Sequence, residues 1–287
     1  MKSLKNTAEV LRMIKFEHTV FALPFAYLGA FAAARGAPSW EKVLWITLAM
    51  FGARSAAMCF NRLVDQKFDA LNPRTWGRSL PAGRLSARYV ILFTLFSLTL
   101  MLYSASRLNW LCAFLAPIAV FVIFFYSYTK RFTAFSHLFL GLSLSMAPIG
   151  GWIGVAGSLK PVALLLALAV GLWVSGFDII YACQDIDFDS KYRLYSLPQA
   201  IGIRSALLVS TLLHVLMVAA LIAAYLNLRL GKLSLAGIVV TSLLIAYEHW
   251  IVRPSDLSRI NTAFFTINGF VSILLFLAIG LDLSLAR

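Results

Sequence analysis

Charged residues are scarce in this sequence. Only 13% of its 287 residues are Asp, Glu, Lys or Arg, whereas soluble domains carry about 25%. No long polar segment is left that could form a second domain. Instead, 61% of the residues are hydrophobic and the mean hydropathy is +0.83. These values exclude an ordinary soluble protein and predict one integral membrane domain over residues 1–287, with the lipid bilayer as its surroundings.

Cysteine and histidine are also rare. The cysteines lie inside apolar runs without metal-ligand spacing, so the sequence predicts no disulfide framework. The histidines lack ligand spacing as well, and we expect them to be structural. Glu248, an acid inside an apolar run, has no role that the sequence assigns. The rare residues are Cys59, Cys112, Cys183, His18, His137, His214 and His249.

Nine apolar runs have about the length of a membrane-crossing helix, which needs about 20 residues. We therefore predict an all-α membrane protein whose nine transmembrane helices surround one central cavity. The predicted spans lie near 18–35, 41–64, 87–107, 109–127, 135–156, 161–184, 204–226, 233–252 and 262–284.

Basic residues outnumber acidic ones, 25 to 12, and give a net charge of +13. Sixteen of them fall in segments on the N-terminal side of the predicted membrane and seven on the other. Because Lys and Arg are retained in cytoplasmic loops, we predict a multi-pass protein of the cell's inner (plasma) membrane with a cytoplasmic N-terminus and an external C-terminus. The same rule explains the excess of basic residues, so we expect no nucleic acid as a partner.

Two acidic clusters, 120 residues apart, form an internal repeat. Asp65 and Asp69 correspond to Asp185 and Asp189, and each pair has the four-residue spacing that places side chains on one helix face. Each cluster ends an apolar run, where an uncompensated acid is costly. Each is followed by a Ser-Leu-Pro turn, at 79–81 and 196–198. The repeat predicts two related helical halves that face each other across the cavity, with both clusters at its cytoplasmic end.

The clusters combine carboxylate and amide oxygens, which suit Mg²⁺ because this ion prefers carboxylates together with substrate phosphate. Basic side chains nearby could bind a diphosphate. Tyr126 and Lys130, four residues apart, place a phenol and an ammonium beside it, where they could steady a departing phosphate and an allylic cation. The oxygen donors are Asn61, Asp65, Asp69, Asp178, Asp185 and Asp189, and the basic residues are Lys67, Arg74, Arg78, Lys130, Arg131, Lys191 and Arg193.

Three motifs carry a resemblance to a known family. They are Asn61-x3-Asp65-x3-Asp69, Asp178-x6-Asp185-x3-Asp189 and Tyr126-x3-Lys130, with near matches in Lys15-Phe16-Glu17-His18-Thr19, Asn72-Pro73-Arg74-Thr75 and Leu80-Pro81-Ala82-Gly83-Arg84. Together they resemble the UbiA superfamily of intramembrane aromatic prenyltransferases, and most closely its 4-hydroxybenzoate polyprenyltransferase branch.

The resemblance implies a reaction in ubiquinone or menaquinone biosynthesis. A polyprenyl diphosphate ionises at a Mg²⁺ site, and the allylic cation alkylates an aromatic carboxylic acid. The six oxygen donors would hold Mg²⁺ and diphosphate, with Tyr126 and Lys130 at the reacting end of the prenyl chain. Arg54, on the face of Asn61, would hold the acceptor's carboxylate, and Tyr181 would take the place of Asn61 in the second half.

Alternatives remain at this point. The acceptor could be a naphthoate of a menaquinone route, including the futalosine route, whose prenyltransferase is similar to this sequence. Arg54 could instead pair with Asp65 or Asp178. An ion-coupled secondary transporter could also have repeated halves and intramembrane acids, although it would place those acids near the midplane rather than at one rim.

Overall fold

The computed structural model describes residues 2–14 and 17–285, with side chains for residues 7–14 and 22–285. Lys15 and Phe16 of the near match at 15–19 lie outside the described residues. In the described part the chain is built from helices. These are α1 (Lys2–Met13), α2 (Glu17–Ala34), α3 (Trp40–Val64), α4 (Gln66–Leu71), α5 (Ala87–Leu108), α6 (Trp110–Thr129), α7 (Ser136–Ala156), α8 (Pro161–Ala182), a 3₁₀ turn (Cys183–Asp185), α9 (Ile186–Tyr192), α10 (Leu197–Ile201), α11 (Ile203–Leu228), α12 (Lys232–Ile251), a π-helical turn (Thr262–Ile267) and α13 (Asn268–Leu285).

The predicted all-α class is confirmed, and eight predicted spans correspond to helices long and apolar enough to cross a membrane. The first predicted span falls on α2, whose described apolar part, Ala22–Ala34, is shorter. The number nine is therefore not confirmed from the described residues. The last span begins in the π-helical turn that precedes α13.

α8 lies at the centre of the packing. It contacts α7 and α11, while α2 packs against α7 and α13. In the most apolar stretch of α8, 67% of the residues are buried. The value for α6 is 22%, and the exposed aromatic residues of α6 face outward. A buried helix with continuous hydrophobicity belongs in the interior of a membrane bundle, and a half-exposed one belongs at its lipid-facing edge.

Glycine allows α2 and α7 to touch backbone to backbone. A Cβ atom on Gly29 would overlap the carbonyl of Pro148, and one on Gly151 would overlap the carbonyl of Ala26. Small residues at such crossings let membrane helices approach closely, where dispersion replaces the hydrophobic effect as the source of attraction. This contact fixes α2 directly against α7.

The N-terminal helix α1 packs on the end of the bundle that carries the acidic clusters. Val10 and Ile14 are buried against Cys59, Leu80 and Val90. The carboxylate of its Glu9 accepts hydrogen bonds from the Ser79 hydroxyl and the Arg84 guanidinium, both at 2.8 Å. These bonds hold the pKa of Glu9 below its usual value. α1 thus holds the segment around the first Ser-Leu-Pro turn.

Candidate active site

Both acidic clusters form at a break between a long helix and a short one. Asp65 separates α3 from α4 with φ −92° and ψ 5°, and Asp185 precedes α9 with φ −106° and ψ 6°. The amide of Asp69 still donates to the carbonyl of Asp65 at 2.8 Å. The four-residue spacing of the acids is thus kept through a break in the helix. The two halves share the same backbone break, which turns the second acid of each pair onto a short helix.

The two halves meet at a polar chamber of about 180 Å³. Eleven residues proposed from the sequence line it. They are Asn61, Asp65, Asp69, Arg74, Arg78, Tyr126, Lys130, Asp178, Tyr181, Asp185 and Asp189. Residues that are more than 100 positions apart in the chain therefore share one wall, as the internal repeat predicts.

Asp65 is buried and bound to two cations that follow α6. One carboxylate oxygen lies 2.8 Å from the Lys130 ammonium, and the other accepts a hydrogen bond from the Arg131 guanidinium at 3.1 Å. Arg131 also donates to the carbonyl of Val64 at 2.8 Å. The Asn61 amide donates to Asp65 at 3.3 Å. The acid at the end of α3 is thus neutralised from α6.

Asp69 is held by two arginines of its own half. Its oxygens lie 2.6 Å from Arg78 and 3.2 Å from Arg62. Burial nevertheless raises the pKa of Asp69 above its usual value, against the opposing effect of Arg62. Arg62 was not among the residues that the sequence singled out, although it lies next to Asn61.

Asp185 connects the halves, because its main partner comes from the first-half loop. Arg74 donates to both of its oxygens, at 3.0 and 2.6 Å, and to the Tyr181 hydroxyl at 2.9 Å. The Asn72 amide donates to Asp185 at 3.3 Å. Such two-point contacts are the geometry in which arginine binds a carboxylate or a phosphate.

The remaining two acids of the chamber have no cationic partner among the described side chains of Lys or Arg. Asp178 accepts a hydrogen bond at 2.7 Å from His137 of α7, while Asp189 forms no ion pair with any side chain that the structure describes. Sequence reasoning treated His137 as structural and missed this contact. Its partner lies 41 residues away on another helix, so no local spacing could have revealed it.

Some of the proposed residues do not line the chamber. Lys67, Lys191 and Arg193 are exposed, and Lys191 lies over the ring of Tyr192. Arg131 binds Asp65 without itself lining the chamber. Residues that line it without having been proposed include Arg62, Phe68, Asn72, Thr75, Ser127, Ser136, His137, Phe188, Leu194, Tyr195 and Ser196. Of these, Asn72 and Thr75 belong to the motif noted at 72–75, and Ser196 belongs to the second Ser-Leu-Pro turn.

An apolar cavity of about 390 Å³ lies below the polar chamber and is enclosed by α2, α3, α5, α6 and α7. Asn61 and Tyr126 line both spaces. Arg54 is the one Lys or Arg side chain among the described residues lining the apolar cavity, and its buried Nε atom has no hydrogen-bond partner. The alternative pairing of Arg54 with Asp65 or Asp178 is absent from the described contacts. A guanidinium with an unsatisfied Nε atom in an apolar cavity strongly attracts a carboxylate.

The oxygen donors fit Mg²⁺ in chemical type. No three acidic or histidine side chains of the described residues converge as a ready metal cage. Three of the five acids are paired with cations. Mg²⁺ needs only one or two carboxylates when a substrate phosphate supplies the rest. Five carboxylates and four cations line the chamber, and Arg131, which binds Asp65, brings their formal charge to zero.

Fold and site together define a multi-pass helical membrane protein with a polar, charged chamber at the end of an apolar cavity. The UbiA prenyltransferase family model matches residues 22–274, and the chain belongs to this family.

Individual relatives agree with this assignment. The chain is 29% identical over 282 residues to the 4-hydroxybenzoate octaprenyltransferase of Marinobacter nauticus, covering 98% of this chain and 95% of the relative. A UbiA homologue from Aeropyrum pernix K1 superposes with a TM-score of 0.85 at 33% identity, covering 93% of this chain and 98% of the homologue. A homologue from Archaeoglobus fulgidus, bound to GPP and Mg²⁺, has a TM-score of 0.77 at 20% identity, with 96% and 99% coverage.

Proposed function

We propose that this chain is a Mg²⁺-dependent enzyme that transfers a polyprenyl group from a polyprenyl diphosphate to an aromatic carboxylic acid, 4-hydroxybenzoate or a close analogue, in quinone biosynthesis. Residues 1–287 act as one domain in the inner membrane, with the N-terminus and the polar chamber on the cytoplasmic side and the C-terminus outside. The observation that carries the proposal is the direct junction of a polar and an apolar space at Asn61 and Tyr126.

The junction suits a molecule with a charged head and a hydrocarbon tail. The prenyl chain would occupy the apolar cavity, and the diphosphate would bind Arg74, Arg78 and Lys130 in the chamber. The Archaeoglobus homologue bound to GPP and Mg²⁺ supports a diphosphate of this class as the donor, since the two proteins share a fold.

The charge of the chamber supports a metal as companion of the diphosphate. The cations of the chamber are already paired with its carboxylates, so they offer no net positive charge to a bare polyanion. Asp178 and Asp189, which carry no cation, together with Asn61, Asp65, Asp69 and Asp185, would hold Mg²⁺. The bound ion would neutralise charge on the diphosphate as its bond to carbon breaks.

The residues of the chain divide the remaining tasks. Lys130 and Arg74 donate hydrogen bonds to the diphosphate oxygens, where negative charge grows as the carbon–oxygen bond breaks. Tyr126 presents its ring to the allylic cation formed at the junction. A carbon of the acceptor ring forms a bond to this cation and then loses its proton to the departing diphosphate or to water, which restores aromaticity.

Arg54 supports an acceptor that carries a carboxylate. Seven residues of helix, about 10 Å, separate it from Asn61, which leaves room for one aromatic ring between the guanidinium and the junction. The name of the Marinobacter relative supports 4-hydroxybenzoate, and naphthoates are the acceptors to compare with it.

The test uses purified protein in detergent with Mg²⁺, prenyl diphosphates of several lengths, and a mixture of 4-hydroxybenzoate and naphthoates. Mass spectrometry identifies the product, and a phosphate assay measures released diphosphate. We expect Asp65→Asn and Asp185→Asn to abolish both signals, whereas Asp187→Asn, on the exposed side of α9, retains them. Turnover by Asp185→Asn would contradict the mechanism. Diphosphate release without any prenylated aromatic acid would contradict the acceptor.

A further inference from the structure

The second Ser-Leu-Pro turn is joined to the chamber by a histidine. His137, at the start of α7, is buried, with 4% of its surface exposed. Its Nδ1 atom lies 2.7 Å from Oδ2 of Asp178, and its Nε2 atom accepts a hydrogen bond from the backbone amide of Leu197 at 3.2 Å. The imidazole thus connects α7, α8 and the turn at 196–198.

These two contacts determine which ring nitrogen of His137 carries the proton. A backbone N–H can only donate, so Nε2 must carry a lone pair, and the proton of the neutral imidazole is on Nδ1. Nδ1–H therefore donates to Asp178. Because the histidine is neutral, it orients the carboxylate without cancelling its charge. Oδ1 of Asp178 remains available to a ligand in the chamber.

The turn itself is anchored twice. The amide of Tyr195 donates to the carbonyl of Lys130 at 2.7 Å, two residues before Leu197 donates to His137. Tyr195 and Ser196 both line the chamber. His137 therefore fixes one wall of the chamber and one of its acids at the same time.

We infer that His137 is a positioning residue that orients the Asp178 carboxylate toward a divalent cation and couples it to the turn at Leu197. The inference rests on the proposed function, which places Mg²⁺ in this chamber. Among the described side chains, Asp178 and Asp189 are the chamber acids without a Lys or Arg partner, so a cation can bind them without displacing one. Hydrogen-bond partners of metal ligands change metal affinity by about 10- to 100-fold when they are removed.

Two substitutions separate the two contacts. The side-chain amide of His137→Asn can occupy the Nδ1 position and still donate to Asp178, whereas that of His137→Gln reaches the Nε2 position and can serve only Leu197. A histidine outside the chamber, in His249→Gln, is the matched control. Asp178→Asn, alone and combined with His137→Gln, tests whether the two residues act as a unit.

The experiment measures Mn²⁺ binding to the purified full chain by the electron paramagnetic resonance signal of the free ion, independently of turnover. We expect His137→Gln to weaken Mn²⁺ binding about 10- to 100-fold but to add no further loss to Asp178→Asn, since it acts through that carboxylate. His137→Asn and His249→Gln should stay within about threefold of wild type. The Mg²⁺ concentration at half-maximal turnover should shift in the same order.

Each outcome has a meaning. Unchanged Mn²⁺ affinity in His137→Gln, or additive losses in the double variant, would overturn the inference while leaving the proposed function intact. If His137→Gln does not fold, His137→Asn still tests the inference. A loss of Mn²⁺ affinity in His137→Asn as large as that in Asp178→Asn would contradict it. A wild-type chain that binds no Mn²⁺ would refute the metal site of the proposed function itself.

Discussion

Arg54→Met gives the most direct test of how the acceptor is recognised. The substitution nearly preserves side-chain volume and removes the guanidinium from the apolar cavity. In the structure this group lies in an apolar cavity, and its buried Nε atom has no hydrogen-bond partner. Its interaction with an acceptor carboxylate is therefore not reduced by competition from a protein acid.

The magnitude follows from the chemistry of a charged hydrogen bond. Such bonds contribute about 1.5–3 kcal/mol, which corresponds to a factor of about 10 to 150 in kcat/KM. We expect wild-type protein to prefer 4-hydroxybenzoate to its neutral isostere 4-hydroxybenzamide by this factor. Arg54→Met should lose the preference and leave the KM for the prenyl diphosphate within about threefold.

The assay is the initial rate of prenylation with each acceptor at saturating donor and Mg²⁺. Thermal unfolding of the same preparations provides a second measure, because removal of an unpaired buried charge should raise the midpoint even as activity falls. If Arg54→Met still distinguishes the acid from the amide by tenfold or more, Arg54 does not bind the carboxylate. If naphthoates prove to be the acceptors, the same comparison applies with their carboxamides.

Two further predictions use paired variants. Lys130→Met should raise the KM for the prenyl diphosphate about tenfold or more, since an ammonium in the chamber is lost. Lys67→Met changes an exposed residue that does not line the chamber, and its KM for the prenyl diphosphate should stay near the wild-type value. Steady-state kinetics at varied concentrations of the prenyl diphosphate measure both KM values. Gly151→Ala should lower the unfolding midpoint measured with a thiol-reactive dye, because its methyl group would overlap the carbonyl of Ala26, whereas Gly150→Ala meets open space. Equal midpoints for the two glycine variants would contradict the close α2–α7 contact.

The sequence predicts most of the fold, because membrane-crossing helices are encoded locally. Runs of apolar residues end near the observed boundaries of α3 and α8, and the 120-residue offset identifies which acids belong together. The break in the helix at Asp65 and Asp185 could not be predicted, because a single residue in the bridge region of φ/ψ space leaves the four-residue spacing unchanged and is invisible to periodicity.

The partners of the acids could not be predicted, since they depend on how the halves approach each other. Arg74 binds Asp185 across 111 residues and His137 binds Asp178 across 41. Basic residues that help to set topology and basic residues that line the chamber look alike in a sequence. Only packing distinguishes the chamber residue Arg78 from the exposed Lys67.

The pairing of charges in the chamber bears on the order in which ligands bind. Asp65, Asp69 and Asp185 already hold Lys130, Arg78 and Arg74. A diphosphate must take these cations from the carboxylates, and each carboxylate left alone and buried would cost several kcal/mol. A divalent cation removes that cost, because it replaces the departing basic group at the acid. Metal and diphosphate should therefore bind cooperatively. The metal replaces the basic group at the carboxylate, and the diphosphate replaces the carboxylate at the basic group.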